Sequence, residues 1–121
     1  SYADRAVISI APDERLANAY NRMKIYDISQ LPVIEQERVV GIIDEYDILM
    51  ALANGGTETF HAPVSRYMSP SLETVRPDAA IETILPMLKN GLTPIVKDDQ
   101  RFYGLITKID YINYLKKKVE A

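Results

Sequence analysis

The chain of 121 residues contains no cysteine, so it can form neither disulfides nor thiolate metal sites. It also has no apolar run near the roughly 20 residues that span a bilayer, and its polar start is not a signal peptide. The 14 basic and 17 acidic residues give a net charge of −3, without the basic excess typical of nucleic-acid binders. We therefore expect a cytoplasmic protein whose partners are neither membranes nor nucleic acids.

Catalytic motifs are also missing. The sequence has no Ser-His-Asp set, no glycine-rich phosphate loop and no cluster of metal ligands, and the one histidine, His61, stands alone in a polar connector. These absences predict a chain without catalytic activity and without a tightly bound cofactor.

The feature that is present is an internal repeat. Residues 39–47 and 102–110 each run from apolar residues through a glycine to a polar helix start that ends in aspartate. Each copy follows an apolar segment that contains a proline, at residues 31–34 and 93–96. One structural unit therefore occurs twice in the chain.

In the first unit, a strand is expected over residues 5–10, and the spacing of Leu16, Ala19, Tyr20 and Met23 predicts a helix from Pro12 to about residue 27. Strands over 31–35 and 38–44, joined by a turn at Gln36 and Glu37, predict a hairpin, and a helix follows over 45–53.

The second unit repeats this order, with a strand over 72–75, a helix from Pro77 that Pro86 should kink, strands over 93–97 and 101–107, and a helix over 108–119. We expect that last helix to bury one apolar stripe. The stripe consists of Ile109, Ile112, Leu115 and Val119. The methionines are expected to fill the core or an interface.

Two β-α-β-β-α units with these glycine motifs resemble a pair of CBS domains, also called a Bateman module. The resemblance covers nearly the whole chain and implies an α/β (α+β) fold in which two motifs pack with pseudo-twofold symmetry. The implied boundaries are residues 1–56 for the first motif, 57–63 for a connector and 64–121 for the second motif. The second half, through residues 103–115, further resembles the C-terminal regulatory tail of cystathionine β-synthase.

The resemblance also implies two clefts that take adenosyl ligands such as S-adenosylmethionine or AMP. In the family, the aspartate of the glycine motif binds the ribose, and the Ser or Thr three residues earlier meets a phosphate or its equivalent. The main cleft is therefore expected to combine residues of both units: Thr107, Asp110 and Leu105 with Val7, Ile8, Ile28, Ser29 and Gln30. The second cleft would carry Asp47 and Asp44.

Each of these residues also has a structural explanation. Thr107 and Asp110 approximate a capping box, which satisfies backbone donors of the first helical turn. Gly41 and Gly104 permit either close strand packing or a close approach of ligand to backbone. Asp44, which stands where the second unit has Thr107, is a good helix N-cap, and as a ligand residue it would repel phosphates.

We therefore expect a regulatory module that senses an adenosyl compound, forms a homodimer and acts on an attached or partner enzyme. A pyridoxal-phosphate lyase preceding Ser1 is one such enzyme, and Tyr111 and Tyr114 are candidates for the dimer face. The alternative is a dimerisation or scaffold module whose clefts have lost their ligands.

Overall fold

The computed structural model describes residues 8–120, which form two compact units that divide between Leu72 and Glu73. Helices and small sheets make up both units, as the predicted α+β class requires. The turns over 57–72 pack with the first unit. The predicted motif boundaries at residues 56/57 and 63/64 stay a prediction.

The first unit contains α1 (Leu16–Tyr26), β1 (Gln30–Glu35), β2 (Arg38–Asp44) and α2 (Glu45–Gly55). Two 3₁₀ turns follow, Thr57–His61 and Val64–Arg66. The second unit contains β3 (Thr74–Val75), a 3₁₀ turn Ile81–Thr83, α3 (Ile84–Lys89), β4 (Ile95–Lys97), β5 (Phe102–Leu105) and α4 (Lys108–Glu120).

Strand pairing confirms that the chain repeats one unit. The hairpins β1–β2 and β4–β5 are both antiparallel. In each unit the preceding segment adds in parallel to the first hairpin strand, through an isolated bridge from Ile10 to Val33 in the first and through β3 in the second. The predicted opening strand over 5–10 is seen only at Ile10, and residues 5–7 of it lie outside the described part of the chain.

The first helix begins later than the sequence predicts, at Leu16 rather than Pro12. Residues 12–14 form a turn in which the Glu14 N–H donates to the Ala11 carbonyl over 3.2 Å. Arg15 forms a bridge to Pro63, and the Leu16 N–H donates to the Ala62 carbonyl over 2.9 Å. The connector thus pairs with the start of α1, which holds Arg15 extended and delays the helix.

An ion pair fastens this turn to α1. The Arg22 guanidinium donates to both carboxylate oxygens of Glu14, over 2.6 and 2.8 Å, and to the Ser9 carbonyl over 3.0 Å. The hydrogen bond from Arg22 is the main cause that lowers the pKa of Glu14. Because the pair is bidentate and half-buried, it fixes the position of the segment that leads into Ile10.

Gly41 allows β2 to approach the chain at Met68 and Ser69. Ile42 and Ser69 exchange two backbone hydrogen bonds of 2.8 and 2.9 Å. A Cβ on Gly41 would lie 2.7 Å from Met68 Sδ and 2.9 Å from the Ser69 carbonyl oxygen. Close packing therefore accounts for this glycine, one of the two explanations that the sequence left open.

Pro86 shortens a helix rather than kinking one. It lies in the first turn of α3, where a backbone N–H would have no helical partner, and a separate 3₁₀ turn precedes it. The predicted continuous helix from Pro77 is therefore wrong.

The core of the first unit is built from α1, the hairpin, α2 and the turn after the connector. Residues of the second unit that are buried include Ile84, Leu88 and Ile95. The core cluster of the first unit comprises Ile10, Leu16, Ala19, Met23, Leu31, Val33, Ile43, Ile48, Ala51 and Val64.

The predicted buried stripe of the last helix is wrong. All four stripe residues are exposed, by between 46% for Leu115 and 86% for Val119, and no residue of α4 is buried. Tyr111 and Tyr114, which the pattern placed beside the stripe, are half-buried instead. The spacing of the apolar residues correctly predicted a helix with one apolar face, but the other described parts of the chain do not cover that face.

Candidate functional site

The glycine motif of the second unit ends in a carboxylate at the start of α4. Asp110 Oδ2 accepts hydrogen bonds from the Thr107 backbone N–H over 2.8 Å and from Thr107 Oγ1 over 2.9 Å. The Thr107 hydroxyl is thus a donor to the carboxylate, whereas in a full capping box it would accept from the Asp110 N–H. The predicted capping box is therefore only half formed here.

The second oxygen of this carboxylate is available to a ligand. Within residues 8–120, Asp110 Oδ1 has no hydrogen-bond partner, and the side chain is exposed. The first turn of α4 also presents backbone N–H groups, which favour negative or acceptor groups nearby. The arrangement provides one oriented acceptor beside several donors, which suits a ligand with neighbouring hydroxyl groups.

The corresponding motif of the first unit is closed on itself. Asp44 Oδ1 accepts from the Asp47 N–H over 2.9 Å, and Asp47 Oδ2 accepts from the Asp44 N–H over 3.0 Å, which makes a complete capping box. Burial is the largest cause that raises the pKa of Asp47, to about 6, and the neighbouring Asp44 carboxylate adds to the rise. The N-cap interpretation of Asp44 is confirmed.

The polar residues before β1 lie next to this carboxyl pair. Asp27 ends α1 in the left-handed conformation, with φ 53°, and turns the chain toward β1. The Ser29 carbonyl then accepts the Glu45 N–H over 3.1 Å, and Gln30 pairs with Asp44 across the hairpin. Ser29 is exposed, while Ile28 and Gln30 are half-buried.

The remaining predicted site residues are described in part. Ile8 is half-buried and packs against the core of the first unit, and Leu105 is a half-buried residue at the end of β5, paired with Ile95. Val7 lies outside the described residues. That these residues share one cleft with Thr107 and Asp110 stays a prediction.

Sequence reasoning missed three cavities, each inside one unit. One of about 580 Å³ lies between α1 and α2 and is lined by Ile28 among others, one of about 370 Å³ lies beside Asp47 and Arg66, and one of about 410 Å³ lies between α3 and α4. The sequence did contain a signal for the first of these cavities. The apolar residues of α1 and α2 cover a wider face than the core can bury, and Tyr20 and Leu49 on that face are exposed.

Metal and membrane sites find no support in the described part of the chain. Residues 8–120 contain no group of three or more His, Asp or Glu side chains able to hold a metal ion. Within the same range no helix has the length and apolar character needed to cross a bilayer. The predicted cytoplasmic location stays a prediction.

Comparison with known proteins identifies the repeat. The CBS domain model matches residues 1–54 and again residues 64–117. The chain belongs to the CBS domain family. It is a pair of CBS domains, or Bateman module.

Relatives in sequence include proteins of very different length. An uncharacterized 17.7 kDa protein of Acidianus ambivalens is 35% identical, with 87% of this chain and 65% of that protein covered. Inosine-5'-monophosphate dehydrogenase of Methanocaldococcus jannaschii is 32% identical, with 91% of this chain and 22% of the enzyme covered. The CBS pair thus spans slightly less than two thirds of the first relative and about a fifth of the second.

Solved structures share the fold. A CBS-domain protein of Agrobacterium tumefaciens superposes with a TM-score of 0.83 at 21% identity, covering 92% of this chain and 90% of that one. A CBS domain pair in complex with 5'-methylthioadenosine and S-adenosyl-L-methionine superposes with a TM-score of 0.79 at 23% identity, covering 95% and 92%. At these identities the likeness concerns the fold, and the predicted α+β class is confirmed.

Proposed function

We propose that this CBS pair binds an adenosyl ligand, S-adenosylmethionine, AMP or a related compound, and regulates an attached or partner enzyme. The observation that carries the proposal is the Asp110 carboxylate, which Thr107 orients through Oδ2 while Oδ1 stays open within the described chain. A carboxylate held in this way can accept both hydroxyls of a ribose. Leu105, Ile8, Ile28, Ser29, Gln30 and Val7 are the other proposed contacts.

The charges near Thr107 favour an adenosyl sulfur compound over a nucleotide. Lys108 is the only cation within two residues of Thr107 and Asp110 in the sequence. A triphosphate normally requires several charge-assisted donors. S-adenosylmethionine and methylthioadenosine carry no phosphate, and the pair solved with those two compounds has the same fold as this chain.

The regulated enzyme is proposed from domain organisation. A relative of this chain makes up about a fifth of a dehydrogenase, so a CBS pair of this kind is found joined to an enzyme. Cystathionine β-synthase is a specific candidate, which rests only on the resemblance of residues 103–115 to its regulatory tail. The proposed mechanism is a population shift, in which the ligand favours one conformation of the module and thereby biases its partner.

The test is a thermal-shift and calorimetric panel with S-adenosylmethionine, S-adenosylhomocysteine, methylthioadenosine, AMP and ATP. We expect stabilisation by at least one of the three adenosyl sulfur compounds, and loss of at least tenfold in affinity in Asp110→Asn. The matched control is Asp47→Asn, which makes the same change at the predicted second cleft. Because the capping box is complete there, we expect this variant to keep the response of the main cleft.

Two outcomes would contradict the proposal. If none of the five compounds raises the melting temperature, the chain is not an adenosyl sensor. If Asp110→Asn leaves the affinity unchanged, Asp110 is not the ribose acceptor. AMP or ATP binding more tightly than the sulfur compounds would contradict the candidate link to cystathionine β-synthase.

A scaffold or dimerisation module is the second candidate function. The Asp44–Asp47 box supports it, because both carboxyl groups already satisfy each other's backbone donors. Exposed apolar residues on the helices also favour association with another chain. A panel without any ligand response, together with stable self-association, would favour this function.

A further inference from the structure

The opening segment of the first unit, residues 8–11, is held to the hairpin by only one residue. Ile10 donates to the Pro32 carbonyl over 3.1 Å and accepts from the Ile34 N–H over 2.9 Å. Within residues 8–120, Ile8 and Ser9 make no hydrogen bond between backbone groups. A segment with so few backbone hydrogen bonds opens at a low cost in free energy unless side chains hold it in place.

Two charged side chains hold this segment on both sides of Ile10. The Arg22 guanidinium donates to the Ser9 carbonyl over 3.0 Å, and Glu14 Oε2 accepts from the Ala11 N–H over 2.9 Å. The guanidinium and the carboxylate are joined by hydrogen bonds of 2.6 and 2.8 Å, and their exposed fractions are 33% and 26%. The opening segment is thus tied to α1 by charge-assisted hydrogen bonds that are partly shielded from water.

The second unit holds its opening segment by other means. There β3 pairs in parallel with β4 over two residues, where the first unit has a single bridge. With the Pro-Asp pairs of the two units aligned, Ala79 and Met87 stand at the positions of Glu14 and Arg22. Neither of these side chains can form an ion pair, so the pair in the first unit is not a requirement of the repeated fold.

We infer that Glu14 and Arg22 are positioning residues for the proposed main cleft, and that they set its affinity by fixing Ile8. Ile8 directly precedes Ser9, whose carbonyl Arg22 holds, and it is one of the proposed ligand contacts. A cleft wall that is ordered before the ligand arrives removes the free-energy cost of ordering it on binding. The inference rests on the proposed function, because it concerns the same cleft, and it assigns neither charged residue a contact with the ligand.

Arg22→Met is the first test, because methionine keeps the helix propensity and removes every donor. Calorimetry with the tightest-binding compound of the five-compound panel should show an affinity at least fivefold lower. The Ile10 amide should exchange with solvent at least tenfold faster by NMR, measured against the Ile95 amide of the second unit as internal reference. Arg76→Met is the matched control. It removes an exposed ion pair of the second unit, to Asp78 over 3.4 Å, and should change the affinity less than twofold.

Exchanging the two charges separates positioning from stability. In the double variant Glu14→Arg with Arg22→Glu, the ion pair can form again, so the urea midpoint should return toward that of the wild type. A carboxylate at position 22 cannot donate to the Ser9 carbonyl, and a guanidinium at position 14 cannot accept from the Ala11 N–H. The affinity should therefore stay at least fivefold below that of the wild type.

Three results would overturn the inference. If the exchanged pair recovers affinity together with stability, the two residues act only through stability. If Arg22→Met leaves the affinity unchanged, they do not position the cleft, although ligand binding by the wild type would still support the proposed function. If the wild type binds none of the five compounds, the proposed function is wrong and the inference falls with it.

Discussion

At the scale of single residues, Asp47 has the most informative ionisation. Burial and the Asp44 carboxylate raise its pKa to about 6, above the value of a free aspartate. The folded state therefore binds a proton at Asp47 more tightly than the unfolded state does. The contribution of Asp47 to the free energy of unfolding is consequently most favourable at low pH. It falls as pH rises from about 4 through 6 and is constant above that.

Asp47→Asn should consequently be more stable than the wild type at pH 7.5 but not at pH 4.5. Because the side chain is partly exposed, we expect a difference of about 1 kcal/mol at the higher pH. Urea unfolding of both chains at the two pH values measures it. Glu14, whose pKa is lowered by Arg22, contributes stability that both chains lose as the pH falls. The difference in the free energy of unfolding between the two chains is therefore the readout, because the Glu14 contribution cancels in it.

Asp110→Asn is the control for this prediction. Asp110 accepts from both donors of Thr107, so losing its charge should give no gain in stability at pH 7.5. A stability difference of Asp47→Asn that is independent of pH would show that Asp47 does not titrate in this range.

At the scale of elements, the two hairpins turn by different means. Gln36 and Glu37 both have positive φ, 51° and 67°, which is the signature of a type I′ turn made without glycine. In the other turn, Asp98 Oδ1 accepts the Gln100 and Arg101 N–H groups, and its second oxygen accepts the Tyr103 hydroxyl. The turn at Gln36 and Glu37 is therefore strained, whereas the turn after Asp98 is stabilised by hydrogen bonds to the Asp98 side chain.

Glu37→Gly should therefore stabilise the protein, by about 0.5–1 kcal/mol, because glycine adopts positive φ without the steric cost of a side chain. Asp99→Gly is the matched control. Within the described chain its φ is not among the positive values, so glycine there should only add freedom to the unfolded state and destabilise. Chemical unfolding of the three chains measures both effects, and equal destabilisation by both glycines would contradict the assignment of strain to Glu37.

Element type could be predicted from the sequence where local chemistry decides it. Polar turns between apolar runs correctly predicted both hairpins. The predicted bounds of β1 and β2 agree with those in the structure to within one residue. The predicted helix bounds were wrong where residues distant in the sequence form hydrogen bonds with the helix end. The α1 helix starts later than predicted because residues 62 and 63 pair with Arg15 and Leu16. Such a pairing has no local signal.

At the scale of the whole molecule, sequence pattern could locate an apolar face but not what covers it. The period of α4 predicted the residues of one face, yet that face is exposed. For the site, the repeat identified Thr107 with Asp110 and Asp44 with Asp47 as pairs, and both are hydrogen-bonded. The closed form of the first pair and the open oxygen of the second depend on donor direction, which residue spacing does not contain.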